Sequence, residues 1–242
     1  MKKTLCIASL LFFLHTASAQ VLIALLFGNK LNTGQLEFGL TVGPSLTNIS
    51  GAGGKGKVGL NLGLYFNIKL NDRWYIHPEG VAKGGFGAKD ILPYSTGNDS
   101  LDQFFTGGAV KRQIGTLSLP VLIQYKIYKR WFAELGPQVN LLTKPKDIFT
   151  GKVNDNELSY TTEIRETITK LDFGMAGGLV YKLREDHGMG ICLRYYGGLT
   201  DIQKDLPGAN RNRMWQLNVT IPIGAGKAKS NANGNSSKTP PP

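Results

Sequence analysis

No stretch of this sequence stays apolar for 18 residues, which excludes a helix that crosses a bilayer. Cysteine is nearly absent, with Cys6 and Cys192 the two in 242 residues. Cys6 falls in a segment that reads as a cleavable leader, so one thiol is left and an internal disulfide framework is excluded. Histidine is as scarce, at three. There is no H-x-x-x-H or paired-cysteine spacing, and no G-x-S-x-G elbow, so the common zinc sites and the elbow hydrolases lack their residues. Residues 51–57 are glycine-rich but lack the G-x-x-x-x-G-K-[ST] spacing of a phosphate loop. Lysine and arginine outnumber aspartate and glutamate by 28 to 17, a formal charge of +11. The bases are scattered along the chain and form no stripe, which argues against a nucleic-acid partner.

What is present begins with a processing signal. Lys2 and Lys3 precede the apolar residues 5–14, and Ala17-Ser18-Ala19 is a small-residue cleavage site. Residues 1–19 therefore read as a signal peptide whose loss removes two lysines and leaves a formal charge of +9. Residues 20–35 read as a periplasmic segment, with an apolar run at 21–27 that suits either a short helix or a strand-like piece. Residues 224–242 are Gly, Ala, Lys, Ser and Asn with a final proline run, a composition that cannot bury enough apolar surface to order itself.

Between these ends, apolar and polar residues alternate in eight segments. The last shows it most plainly: Trp215, Leu217, Val219, Ile221 and Ile223 share one face, and Gln216, Asn218, Thr220 and Pro222 share the other. A side-chain period of two is the signature of a strand with one apolar face. The strands read as 36–46, 58–70, 74–87, 114–128, 131–142, 170–183, 188–201 and 213–223. Their links alternate between tight polar turns (71–73, 129–130, 184–187) and long connections (47–57, 88–113, 143–169, 202–212). The expected fold is all-β: an eight-stranded antiparallel up-and-down transmembrane β-barrel over 36–223, monomeric, in the outer membrane. The long connections would face outward and both mature termini would lie in the periplasm.

Alternation alone does not say which face meets lipid, and a soluble lipocalin-like barrel would turn its apolar face inward. Here the apolar rows are nearly free of charge and carry Trp74, Trp131 and Tyr181 beside the tight turns, like an interfacial girdle. The opposite rows hold glycines and ionisable residues: Glu37, Lys69, His77, Glu79, Lys83, Lys126, Glu134, Asp172, Lys182 and Arg194. These read as a lumen charge network. Eight strands leave room for side chains and not for a wide channel. The acids Glu79, Glu134 and Asp172 are expected to face Lys83, Lys126 and Arg194, because an isolated buried charge costs several kcal/mol.

Catalysis and metal binding draw little from these residues. His77 reads as a lumen hydrogen-bonding group, His187 as a solvated turn residue and Cys192 as a buried inert thiol. Asp99, Asp102, Asp147, Asp155 and Glu157 read as solvated loop acids rather than calcium ligands, and no cofactor is expected. Pro120, inside the fourth strand, cannot donate to a ladder and marks either a bend or a lateral gap. Residues 90–111 and 144–167 are the candidate binding surfaces, because rigid scaffolds carry function on loops. Tyr94, Phe104 and Phe105 are aromatic anchors of the kind that interfaces use, with loop self-packing as the alternative. The excess of base suits either attraction to anionic outer-membrane glycolipid or plain loop solubility.

The order and spacing of several short motifs carry a resemblance. They are Leu25-Leu26-Phe27-Gly28 leading to Leu36-Glu37-Phe38-Gly39-Leu40; Leu117-Ser118-Leu119-Pro120-Val121-Leu122 before Tyr125-Lys126; and Glu134-Leu135-Gly136-Pro137-Gln138. Asp172-Phe173-Gly174 with Gly177-Gly178, Arg194-Tyr195-Tyr196 before Gly198-Leu199-Thr200, and Asn212-Arg213 before Gln216-Leu217 complete it. Over residues 21–223 the chain resembles the PorT-like outer-membrane β-barrel family common in Bacteroidetes. The resemblance implies an eight-stranded barrel among outer-membrane lipid and glycolipid, with envelope or secretion proteins as partners through the outer loops. It departs from the usual pattern in the tail after Ile223, where such barrels commonly stop near an aromatic residue. The reading that follows is a non-catalytic barrel with a closed charged lumen, serving envelope structure or loop-mediated interaction. One alternative is an accessory role in type IX secretion, the process in which the family's namesake takes part. Another is an enzyme acting on lipid or protein, with His77 beside a nucleophile.

Overall fold

A computed structural model describes residues 35–153, 156–184, 188–203 and 208–223. The expected leader, the segment 20–34, Asp155, His187 and the tail 224–242 lie outside the described residues. Among the described residues there are nine strands and one helix. They are β1 (Leu36–Ser50), β2 (Lys55–Lys69), β3 (Trp74–Ile91), α1 (Asp99–Phe105), β4 (Ala109–Tyr128), β5 (Trp131–Val153), β6 (Asn156–Glu163), β7 (Leu171–Lys182), β8 (Gly190–Gly198) and β9 (Arg211–Pro222). All pairings are antiparallel, in the order β4-β3-β2-β1-β9-β8-β7-β5-β6. A further pairing of β4 with β5 closes eight of them into a ring, and β6 lies outside the ring on the far half of β5. Closure leaves the eight wall strands without a free edge, which a sheet facing lipid requires.

Sidedness follows from burial. On β4, Leu117, Leu119, Val121, Ile123 and Ile127 are 40% to 55% exposed, while Thr116, Ser118, Leu122 and Gln124 are buried. Leu135 on β5, Leu179 on β7, Leu193 on β8 and Leu217 on β9 continue the exposed apolar belt around the ring. From Leu117 to Ile127 is eleven residues, and a tilted strand crosses the hydrocarbon of a bilayer in about 9–11. Aromatic pairs on neighbouring strands bound the belt. Trp74 contacts Tyr125 (ring centroids 4.7 Å apart) and Trp131 contacts Tyr181 (4.9 Å) at the tight-turn end. Tyr195 contacts Trp215 (4.8 Å) toward the other end. In two pairs an arginine just beyond the belt donates to the tyrosine hydroxyl, Arg73 to Tyr125 (3.3 Å) and Arg213 to Tyr195 (2.8 Å).

Two features differ from the sequence expectation, and a third decides between two alternatives it left open. The first is strand length. The connection expected at 47–57 is a turn of residues 51–54 in which Gly51 and Gly53 take positive φ (91° and 66°). Likewise β4 starts at Ala109, and β5 runs to Val153 and returns as β6, so much of the expected loops 88–113 and 143–169 is sheet. The second is a bulge in β3. Val81 pairs with Ser118 and Gly84 with Thr116, so Ala82 and Lys83 stand opposite Leu117 alone. The extra residue reverses which side later residues face. The third is Pro120, across which the β4–β5 register runs unshifted, so it opens no lateral gap.

Candidate functional site

At the middle of the barrel one guanidinium holds two carboxylates from other walls. Arg194, on β8, donates through Nη1 and Nη2 to Glu79 Oε2 and Oε1 of β3 (2.9 and 2.8 Å), and through Nε to Glu134 Oε1 of β5 (2.5 Å). The reach depends on Gly178, which lies between Glu134 and Arg194 in the register of β5, β7 and β8. A Cβ there would stand 2.9 Å from the Arg194 Cα. His77 Nε2 lies 2.8 Å from Glu79 Oε1, and Gln124 donates to Glu134 Oε2 (2.9 Å). The Cys192 thiol lies 3.1 Å from Glu134 Oε1. A two-pronged guanidinium–carboxylate contact is the strongest of the charge-assisted pairings. Losing one member of such a buried set leaves an uncompensated charge and costs about 3–5 kcal/mol.

Toward the tight-turn end a second ion pair joins Lys182 Nζ to Glu37 Oε1 (3.6 Å), with Tyr65 donating to the same oxygen (3.1 Å). The Lys182 ammonium also sits over the Tyr75 and Phe132 rings, at 5.7 and 5.4 Å. Toward the other end the lumen turns apolar. Ile164, Ile168 and Ile202, from the connections after β6 and β8, pack on Ile49, Phe86, Ile114, Leu142 and Tyr196. A cavity of about 10 Å³ beside Arg194, lined by Asn61, Ser118, Gln138 and Gln216 among others, has room for at most one water.

The expected lumen residues do not all meet. Glu37, His77, Glu79, Glu134, Lys182 and Arg194 line the interior as described. Lys83 does not: the β3 bulge turns it outward and leaves it exposed. Lys126 stands half-buried at the tight-turn mouth, where its charge bears on Asp72. Lys69, also near that mouth, pairs with Asp72 (2.8 Å). Asp172 is fully buried, yet its expected base is replaced by amides: Asn212 and Asn140 donate to Oδ2 at 2.9 and 3.3 Å. Gln138 extends this chain by donating to Asn140 (2.7 Å). Sequence reasoning passed over these amides, although each lies on a polar row.

Beyond the belt, the far parts of β3, β4 and β5 with β6 and α1 form a separate lobe. Its core is Ala88, Ile91, Phe105, Val110 and Phe149, with Leu101 and Tyr160 against it. Asn98 caps α1 by accepting from the backbone N–H of Ser100 (3.1 Å) and of Leu101 (3.4 Å). Asp102 ties the preceding loop, accepting from the Thr96 N–H (2.9 Å) and from the Thr96 and Ser95 hydroxyls (2.7 Å each). The Thr96 N–H, then the two hydroxyls, hold its carboxyl below the usual aspartate value. Inside the lobe Arg112 donates to Asp147 through Nε (2.9 Å) and Nη2 (2.6 Å), and through Nη1 to Gln203. Asp147 is thus a buried ion-pair member and not the solvated loop acid expected.

The three aromatic anchors part company. Phe105 is buried in the lobe core, which corrects its reading as a contact residue; there loop self-packing prevails. Tyr94 is half exposed, but its hydroxyl donates to Asp147 Oδ2 (2.6 Å) and its ring lies 5.1 Å from that of Phe149. Burial first, then the Asp147 carboxylate, push its phenol above the usual value. Phe104 points to solvent, as does Leu92. Two open crevices of about 420 Å³ each adjoin Thr106 and Gly107. One runs along Gly108, Thr150 and Lys152, the other along Pro93, Tyr94 and Asp102.

Residues 20–204 match the model of the outer membrane protein beta-barrel domain family. In the solved structures the chain is similar to the attachment invasion locus protein Ail of Yersinia pestis: 12% identity over 78% of this chain and 99% of that one, TM-score 0.41. It is similar to Neisserial surface protein A: 9% identity over 78% and 97%, TM-score 0.37. It is also similar to OprG from Pseudomonas aeruginosa: 14% identity over 77% and 91%, TM-score 0.30. No curated protein matches the sequence. The chain belongs to the outer membrane protein beta-barrel domain family, and it is a protein of the outer membrane.

Proposed function

We propose that this outer-membrane barrel is a non-catalytic scaffold whose lobe engages a partner at the cell surface. The observation that carries the reading is the contrast between a filled lumen and a built lobe. Arg194 with Glu79 and Glu134 occupies the middle of the barrel, Lys182 with Glu37 one end, and Ile164, Ile168 and Ile202 the other. That leaves no path for solutes beyond single waters. The lobe has its own apolar core and its own buried ion pair, so it holds Phe104, Leu92 and the two crevices in a fixed arrangement. Ordered surfaces of this kind lose little entropy on binding. His77 supports the non-catalytic reading, because it is buried in the lumen against Glu79, away from any surface where a lipid or protein substrate could reach it. The lobe faces the outside of the cell, as the long connections of such barrels do.

Two measurements test this. Purified barrel in planar bilayers should give no steady single-channel conductance, and reproducible ion steps would overturn the closed-lumen reading. A photo-crosslinking residue in place of Phe104 on living cells should give a discrete adduct absent when it replaces Leu60 in the lipid belt. Equal labelling from both positions would remove the case for a lobe partner.

A further inference from the structure

The bulge in β3 has a chemical result. Under unbroken alternation Lys83 would share the lumen with Glu79 and Val81. The inserted residue brings it to the outer wall beside Leu117, the last apolar residue of the β4 belt on that side. A lysine on the lipid face is costly at the bilayer midplane and nearly free of cost at the interface, so Lys83 sits where headgroups begin. Above it, Phe86 and Ala88 face the core, Gly85 and Lys89 fall on the outer face, and Gly87 is buried between them. The two glycines add no side chain of their own there, and the stem of Lys57 reaches over Gly87, its Cδ 3.1 Å from where a Cβ would stand. Lys89 is the direct partner of Lys55 on β2. Lys111 on β4 follows the pair formed by Ala88 and Arg112, so it stands beside Lys89, and Lys57 is close enough for Lys111 to repel it. Lys55, Lys83, Lys89 and Lys111 are exposed. Strands β2, β3 and β4 carry two acids. Glu79 points into the lumen, and Asp90 lies 3.2 Å from Lys55. Like charges side by side across a sheet destabilise it, so this wall gains from a bound anion.

We propose that the outward lysines of β2–β4 form a binding surface for the phosphate groups of an outer-leaflet glycolipid. Lys83 takes a phosphate at the lipid anchor, and Lys89 and Lys111 take anionic groups farther out on the sugar. Lys89 lies six positions after Lys83, roughly 20 Å along a strand and about 15 Å in height at barrel tilt. That matches a glycolipid charged at two levels. Acyl chains would lie against Leu62 and Leu117 beside Lys83 and against Leu119 below, with the exposed Val58 and Leu60 of β2 flanking the site farther out. The inference rests on the reading that the lobe faces the cell exterior.

The test uses the full barrel in phosphatidylcholine nanodiscs carrying a minor fraction of diphosphoryl lipid A, with retained lipid read by native mass spectrometry. The wild type is expected to keep diphosphoryl lipid A. The triple variant Lys83→Gln, Lys89→Gln, Lys111→Gln should lose roughly tenfold or more of it, while Lys129→Gln at the opposite end should change nothing. Lipid A stripped of its phosphates should be retained no better than by the triple variant. Heat-dependent gel mobility of the triple variant shows whether it is folded; if it is not, the single variants Lys89→Gln and Lys111→Gln are read instead. Equal retention by wild type and folded variants, or by both forms of lipid A, overturns the proposal, as does full displacement by inorganic phosphate, which would mark a free-anion site. Labelling of Gly97→Cys by a membrane-impermeant maleimide on intact cells tests the orientation separately. With labelling, a negative lipid result counts against the site alone; without it, the outward orientation itself fails.

Discussion

Strand β4 faces the barrel interior with the same alternate residues from Val110 to Gln124, yet the chemistry of its two faces changes places near Thr116. Beyond the belt the inner residues are Val110 in the lobe core and Ile114 at the apolar end of the lumen, with Arg112 paired to Asp147, and the outer ones are Lys111 and Gln113. In the belt the inner residues include Thr116, Ser118 and Gln124, and the outer ones are Leu117, Leu119, Val121 and Ile123. Backbone geometry is shared; the medium outside differs. Where the outside is water, apolar side chains gain by going in, as on any half-solvated antiparallel sheet. Where the outside is hydrocarbon, they gain nothing by going in, and the interior collects the polar groups that lipid would reject. One strand therefore records the height at which its surroundings change.

The largest effect that would break this comparison is expected from Arg194→Met. In the belt it leaves Glu79 and Glu134 without a base, and the barrel should lose about 3–5 kcal/mol, read as a lower urea midpoint in detergent. Combining it with Glu79→Gln and Glu134→Gln should restore most of the loss, because the cost lies in unpaired charge. Next comes Phe149→Ala in the lobe core, worth about 3–5 kcal/mol of local stability. Hydrogen exchange should rise across α1, β6 and the far half of β5 while the heat-resistant band of the barrel persists. Concerted loss of both would mean that the two regions fold as one.

A matched pair sharpens the contrast further. Leu119→Arg, outward in the belt, should cost about 2–4 kcal/mol, whereas Lys111→Leu, outward on the same strand in the lobe, should stay within about 0.5 kcal/mol. Equal costs would contradict a change of medium along β4. The smallest effect is the pH response of the lobe loop. Asp102 has its pKa lowered in the folded state, so its stabilisation is complete above the ordinary aspartate value and is lost as pH falls through the depressed value. Backbone signals of Thr96 and Ser95 should shift and broaden only on strong acidification, with belt signals unchanged. Asp102→Asn should remove that response.

The belt was legible in the sequence because its alternation keeps one sign over a full crossing, as from Leu117 to Ile127. The inward row was legible by parity alone, which is how Glu37, His77, Glu79, Glu134, Lys182 and Arg194 were assigned a common side. Their partners were not, because pairing depends on which walls meet across the ring and on the gap left by Gly178. The lobe escaped for a physical reason. At 109–113 and 145–151 the inward row mixes Val110, Pro145 and Phe149 with the ion-paired Arg112 and Asp147, and the outward row carries Lys111, Lys146 and Ile148, so a reading tuned to an apolar outer row ended the strands too soon. Arg112 and Asp147 were accordingly placed in two unrelated loops. Lys83 was misplaced by a single inserted residue, which no periodicity announces. Phe105 was read as a contact residue because its neighbours in the lobe core come from strands that had been taken for loops.

The most direct test of the change of medium is paramagnetic quenching by lipids that carry a nitroxide on the acyl chain, with spectra assigned for the barrel in nanodiscs. The account predicts strong broadening of the methyl signals of Leu119, Leu135, Leu193 and Leu217, and none for Val110, Ile114 or the methyls around Phe149. Broadening of Val110 and Ile114 with Leu119 and Leu217 left sharp would contradict it.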